Sequence, residues 1–424
     1  MSRRRNLRDT SGVRWMGPVA VAAVMTLVAG AATAASAEPA PAVPDASGVR
    51  AALQRTMEAG APGAFAVIRN HDGRGGDQTV ALGAADLDGR PMDAGLRFRV
   101  GSNSKAFASV LVMRLAEQGR IDLDEPLRDF LPEGTLPLDW QMTGRQVMQH
   151  RAGVYDHTDD LLEHTGEETT AAFEQRIRDN VYEPADLVAM SVKHGPQSTP
   201  GARYAYSNTD YVLMGLAVEH LTGRPYADVL REWIIEPLRL RQTSFVVPRK
   251  AIDGPHATGY LTNDDRSKPL LDSTEQTASW IWSAGAVIST AEDLDRFLTA
   301  LLAGSAGGLV SDGSLRQMPR VLPTPTAKIS YGLGVREISL SCGKVLGHGG
   351  IVQGYQTQSF STPHGERTVV VFANASNNGA VTQGLMGALE PAFCGKHTRG
   401  PGRPFTEDTD RNDTTVPVVE DTRV

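Results

Sequence analysis

The chain has 424 residues, 41% of them hydrophobic and 21% charged, with a formal net charge of −7. That supply of apolar residues supports one large core or two ordinary ones and excludes a wholly disordered chain. No basic run lies beyond the first 14 residues, and there is no G-X-Y period or longer repeat, which excludes a nucleic-acid-binding surface, a collagen-like rod and a solenoid.

Arg3, Arg4, Arg5, Arg8 and Arg14 accompany an apolar stretch from Met16 to about Ala34, followed by Ala35-Ser36-Ala37. A positive start, an apolar middle and an A-x-A site predict a secretory signal peptide over residues 1–37, cleaved after Ala37. The competing reading is an uncleaved anchor. The Ala-rich composition and the cleavage site favour a secreted, extracellular protein with no stable membrane span after removal. Residues 1–37 hold five Arg and one Asp, so the remainder carries −11. Residues 38–46 (EPAPAVPDA) read as a linker, 47–395 as the folded domain, and 396–424 as a disordered tail.

Within the domain, residues 64–69, 79–83 and 97–100 read as strands, as do 355–361 and 368–373 nearer the far end. The middle is helical. Phe107, Val110, Leu111 and Leu115 recur at helical spacing over 104–118, with Gly119 at the stop. A helix over 209–222 follows an Asn208-Thr209 cap and ends at Gly223; one over 291–303 follows Thr290, with Asp293 three places on. Strands from both ends with helices between them predict an α+β fold. One antiparallel sheet would be built from both termini and flanked by helices, with a mostly helical subdomain.

Cys342 and Cys394 are the only cysteines, so an exported chain has one possible pairing; the alternative is two free buried thiols. A bond closing that loop would stabilise by about 4 kcal/mol in the chain-entropy account. No Cys/His cluster has zinc spacing, and neither a metal nor a cofactor is expected.

Three short motifs carry chemistry. Ser102-Asn103-Ser104-Lys105 is an S-x-x-K opening a helix, where positions i and i+3 share a face and Lys105 reaches the weakly nucleophilic Ser102. The helix start offers free N–H groups to an oxyanion. The bland alternative is a helix cap. Ser341-Cys342-Gly343-Lys344 repeats the spacing but opens no amphipathic helix. Tyr206-Ser207-Asn208 is a Y-x-N before the next helix, supplying a phenol to shuttle a proton and an amide to hold a carbonyl. His348-Gly349-Gly350 is an H-x-G ahead of a strand, where small residues admit a substrate backbone. His71-Asp72-Gly73 and His164-Thr165-Gly166 share that pattern and read as surface loop.

In this order and at these separations the motifs resemble the penicillin-recognising serine hydrolases with a Y-x-N second motif, the class C β-lactamase-like superfamily. The resemblance is strongest to secreted serine D-alanyl-D-alanine carboxypeptidases. RFRVGSNSKAFASVL (97–111), RQVMQHRAGVYDHT (145–158), PGARYAYSNTDYV (200–212), YGLGVR (331–336), GHGGIVQGY (347–355) and AFCGK (392–396) extend it over nearly the whole folded region. It implies a β-lactamase/transpeptidase-like fold and an acyl-enzyme on Ser102, with Lys105 and Tyr206 moving protons. The N–H groups of Ser102 and Ile351 would form the oxyanion hole. Asn208 would orient the acyl amide, Trp280 would line the cleft, and Arg336 would attract a terminal carboxylate. Cys342 and Cys394 match the family's disulfide. The implied activity is trimming of peptidoglycan stem peptides, with β-lactams as acylating inhibitors.

The third motif departs from that pattern. Such carboxypeptidases carry a hydroxyl at its middle, where this chain has Gly349, and the next hydroxyl position is Ile351. Each missing hydrogen bond to a charged group is worth roughly 1.5–3 kcal/mol. The alternative is therefore an esterase, D-aminopeptidase or β-lactamase on the same fold, acting on other D-amino-acid peptides and esters.

Overall fold

Long apolar runs near both ends of the folded chain meet as neighbours in one sheet. The computed structural model describes residues 43–73, 75–162 and 169–396. The expected signal peptide, most of the linker, the tail beyond Lys396 and the His164-Thr165-Gly166 motif lie outside the described residues. The strands are Gly63–Asn70 (β1), Gln78–Gly83 (β2), Leu322–Pro323 (β3), Ile329–Tyr331 (β4), Arg336–Leu340 (β5), Gly343–Val352 (β6), Tyr355–Ser361 (β7) and Arg367–Ala373 (β8). Their order is β2-β1-β8-β7-β6-β5-β4-β3, antiparallel throughout. Ala64 faces Ala373 and Ile68 faces Val369 across the β1–β8 pair, so the sheet is built from both ends of the domain as expected.

β8 (RTVVVFA) is buried along its whole length, because both faces of the sheet are covered. Phe65, Val67, Val370 and Phe372 project into the larger core beneath the helical region. Ala66, Ile68, Val369 and Val371 project the other way, against the terminal helices Ala46–Glu58 (α1), Gly379–Met386 (α5) and Leu389–Cys394 (α6). Phe98 packs 4.4 Å from the ring of Phe372. Its strand is only Phe98–Arg99 and pairs with Ile288–Ser289 outside the main sheet, shorter than the 97–100 expected.

The three expected helices form as Ser104–Glu117 (α2), Asn208–Thr222 (α3) and Ala291–Leu302 (α4). Thr290 Oγ1 accepts from the Asp293 N–H at 3.3 Å, but the Asp293 carboxylate turns to Gln242 and Thr243, so only half a capping box is made. α1 was not expected. Val49, Ala52, Leu53 and Thr56 form its buried stripe, and Asp45 caps it, so Ala46 belongs to the helix rather than to the linker. The disulfide joins Cys342, in the β5–β6 turn, to Cys394 at the end of α6. Among the described residues no helix is long and apolar enough to cross a membrane.

Candidate active site

The turn that carries Ser102 is held by two glycines. Gly101–Asn103 makes one 3-10 turn ahead of α2, with Gly101 at φ +55°. A Cβ on Gly101 would lie 2.7 Å from the Ile351 carbonyl oxygen; one on Gly350 would lie 2.0 Å from Val100 O and 3.0 Å from Ser102 N. Only residues without side chains let β6 run this close to the turn. The closeness sets the backbone of Ile351 beside that of Ser102.

Ser102 is 4% exposed and is not the cap of α2, a place taken by Asn103. Its Oγ accepts from Lys105 Nζ at 2.9 Å and from the Tyr206 hydroxyl at 2.8 Å. Lys105 is fully buried and donates as well to Asn208 Oδ1 (2.7 Å) and Ala284 O (3.0 Å). Its ammonium also lies 4.8 Å from the centre of the Tyr206 ring. Of the four residues singled out in the first two motifs, Lys105 and Tyr206 thus converge on the Ser102 oxygen, and Asn208 holds Lys105.

Asn208 departs from expectation in two ways. It is the first residue of α3 rather than its cap, which is Ser207. Its Nδ2 donates to Asp156 Oδ2 at 3.0 Å and lies 3.4 Å from Thr158 Oγ1. Buried and engaged at both ends, the amide holds Lys105 rather than presenting a free N–H to an acyl group. Asp156, which fixes that orientation, was missed. It lies in the 145–158 stretch that the resemblance covers, but nothing local marks it as a partner of a residue 52 positions away.

The third motif lies on β6. His348 Nε2 accepts from the Tyr331 hydroxyl at 2.8 Å, and its Nδ1–H turns to the Gly349 carbonyl. Burial first, then the positive charges of Arg336 and Lys105, push its pKa well below the usual imidazole value, so the ring is neutral. The Arg336 guanidinium lies 5.7 Å from the Tyr206 ring centre, which brings it to the site. At Gly349 an added Cβ would lie 2.5 Å from Gln358 Oε1, so the β7 glutamine already fills the space a side chain would enter. Ile351 is partly exposed. Trp280 corrects the expected cleft-lining role: it is fully buried in the core, its indole N–H 3.3 Å from Gln276 Oε1 and its carbonyl accepting from His157 Nε2. Arg99, also buried, holds this segment by donating to the carbonyls of Thr274 and Gln276.

The look-alike motifs go elsewhere. Ser341 bonds to Glu390, and Lys344 pairs with Glu337 at 2.7 Å on the surface turn that carries Cys342. His71 pairs with Asp295 at 2.8 Å, away from Ser102. Two residues beside the site carried no expectation at all: His150 and Asp210, bonded to each other behind Tyr206.

Comparison with known proteins agrees with this geometry. The Beta-lactamase family matches residues 49–388. A D-stereospecific amidohydrolase from Streptomyces sp. is 32% identical, with a TM-score of 0.73 over 83% of this chain and 100% of that one. Penicillin-binding protein 4* of Bacillus subtilis (strain 168) is 25% identical over 79% of this chain and 74% of its own. A D-aminopeptidase of Cereibacter sphaeroides (strain ATCC 17029 / ATH 2.4.9) is 28% identical over 73% of this chain; the chain spans only 57% of its length. With the family matched across most of the domain and its fold reproduced, the chain belongs to the beta-lactamase/penicillin-binding-protein superfamily of serine hydrolases.

Proposed function

We propose that the chain hydrolyses an amide bond beside a D-amino acid through an acyl-enzyme on Ser102. The observation that carries this reading is the placement of Ser102 Oγ between Lys105 Nζ and the Tyr206 hydroxyl. Lys105 already donates to Ser102, Asn208 and Ala284, so its three ammonium protons are engaged. That leaves Tyr206 to take the serine proton, once the hydroxyl that now donates to Ser102 has released its own proton to solvent and become a phenolate beside the Lys105 cation.

Oγ then attacks the carbonyl carbon while its proton passes to Tyr206. The oxyanion is held by the N–H groups of Ser102 and Ile351. Tyr206 returns the proton to the departing nitrogen as the C–N bond breaks, leaving an ester on Ser102. Water repeats the sequence: its proton goes to Tyr206, its oxygen to the acyl carbon, and the proton returns to Oγ.

Two features support an amine leaving group without a carboxylate. Position 349 carries no hydroxyl, and Gln358 crowds the space where one would sit. The relatives include a D-stereospecific amidohydrolase and a D-aminopeptidase. A second reading, a secreted D-Ala-D-Ala carboxypeptidase acting on peptidoglycan stem peptides and acylated by β-lactams, draws on Arg336 beside Tyr206 and on the penicillin-binding relative. The test is ammonia release from D- and L-amino-acid amides beside D-alanine release from a peptide ending in D-Ala-D-Ala, with Ser102→Ala as control. Ser102-dependent cleavage of D-amides alone supports the first reading, and D-alanine release alone supports the second. The proposal includes export with loss of residues 1–37; a secreted protein whose intact mass still contains them would refute that part.

A further inference from the structure

Behind Tyr206 lies a pair that the chemistry above does not use. His150 and Asp210 are 0% and 1% exposed, and His150 Nδ1 lies 2.8 Å from Asp210 Oδ2. His150 follows the short helix Gly144–Met148 and adopts φ +55°. A residue with a side chain holds that conformation only where its surroundings impose it. Here the Tyr206 segment imposes it. The His150 carbonyl accepts from the Ala205 N–H at 2.8 Å, and His150 Nδ1 accepts from the Ser207 N–H at 3.3 Å. The two bonds grip the backbone on either side of Tyr206, whose ring centre lies 4.2 Å from the imidazole.

The pair's surroundings favour its neutral form. Tyr211 of α3 and Tyr331 of β4 wall the imidazole, and among the described residues neither His150 Nε2 nor Asp210 Oδ1 has a hydrogen-bond partner. The charged groups facing it are Lys105 of α2, Arg336 of β5 and Asp156, with the neutral His348 of β6 nearby. An ionised pair would strand a carboxylate oxygen and an imidazolium N–H, both buried. A neutral pair strands only a carbonyl oxygen and a ring N–H, which costs far less. Burial, with the Asp156 charge behind it, pushes Asp210 well above the carboxylate range, and burial, Lys105 and Arg336 push His150 well below the imidazole range. The Ser207 N–H, at 3.3 Å, shares the Nδ1 lone pair as the weaker arm of a three-centre bond, which a protonated Nδ1 would not offer.

We infer that Asp210 is a neutral carboxylic acid whose Oδ2–H donates to His150 Nδ1, and that the pair is a positioning element for Tyr206. The positioning half rests on the role of Tyr206 proposed above. A neutral pair also leaves the charge of Lys105 to act on Tyr206 rather than on a second buried anion.

Infrared difference spectra of the full chain and Asp210→Asn test the protonation state. A carboxylic-acid carbonyl band at neutral pH, lost in the variant, is expected; a wild-type protein without that band overturns the neutral pair. Acylation of Ser102 by a p-nitrophenyl ester tests the positioning role. Asparagine keeps a neutral donor, so Asp210→Asn should stay within about 3-fold of wild type with an unchanged pH profile. Asp210→Ala, checked for folding by its melting transition, should lose on the order of 100-fold in kcat with little change in KM. A shifted profile in Asp210→Asn overturns the neutral donor, and full kcat in Asp210→Ala overturns the positioning role. A wild-type protein that is never acylated at Ser102 refutes the proposed function, while the infrared result still decides the pair.

Discussion

Gly350 and Val100 meet so closely that a single methyl group on the glycine would lie 2.0 Å from the valine's carbonyl oxygen. The obstacle is backbone on both sides, so no rotamer change relieves it. β6 carries His348, Gly349 and the partly exposed Ile351; the turn carries Ser102. The distance between Ser102 and the Ile351 backbone is therefore set by the absence of one Cβ.

Gly350→Ala is expected to move β6 off the turn and misalign the Ile351 N–H. Loss of one oxyanion donor costs about 10²–10³ in kcat. Stopped-flow acylation by a p-nitrophenyl ester reads this directly, and an unchanged rate in the folded variant means that Ile351 is not a donor.

Tyr206→Phe removes the hydroxyl 2.8 Å from Ser102 Oγ and leaves the ring in place. General acid–base catalysis contributes about 10²–10⁴-fold, and the loss should fall in that range with melting temperature little changed. If Lys105 were the base, the variant would keep most of its rate.

His348 predicts a stability that depends on pH. It is buried with its pKa pushed well below the ordinary 6.5. Below about pH 6.5 the unfolded chain binds a proton there that the folded chain does not, so stability is lost as pH falls through the unfolded value. The slope is about 1.4 kcal/mol per pH unit for one such group. In His348→Gln, where the amide oxygen can still accept from Tyr331, denaturant unfolding should show that much less slope between about pH 5 and 6.5. Equal slopes in the two proteins would show that the buried ring is protonated in the fold.

The disulfide ties the β5–β6 turn to α6 across 52 residues. Cys342→Ser with Cys394→Ser is expected to lower stability by roughly 2–5 kcal/mol. The bond lies on the side of the sheet covered by α1, α5 and α6, where Cys394 packs in the smaller core. Acylation of Ser102 at low temperature should therefore survive its loss; activity that vanishes in a still-folded variant would tie the bond to the site.

Much of the fold and of the Ser102–Lys105–Tyr206 cluster was legible from local pattern. Strand runs such as 64–69 and 368–373 are continuous in sequence, and Ser102 and Lys105 meet because one helical turn separates them. Tyr206 was legible through its motif, since its place relative to Ser102 follows from the family's spacing. Helix α1 escaped because its stripe is built from small residues and one threonine, a weak periodic signal beside the Pro/Ala-rich run before it.

What the sequence alone determined, then, was which side chains gather at Ser102 and which segments build the sheet. Only the tertiary structure decided what surrounds them: Asp156 turning the Asn208 amide, Gln358 filling the space beside Gly349, Trp280 sunk in the core, and His150 with Asp210 clamping Tyr206. These contacts join residues on different elements and leave no period or short motif behind. A buried polar group takes whichever partner the packed chain brings within about 3 Å, and that partner is chosen by the fold, not by distance along the sequence.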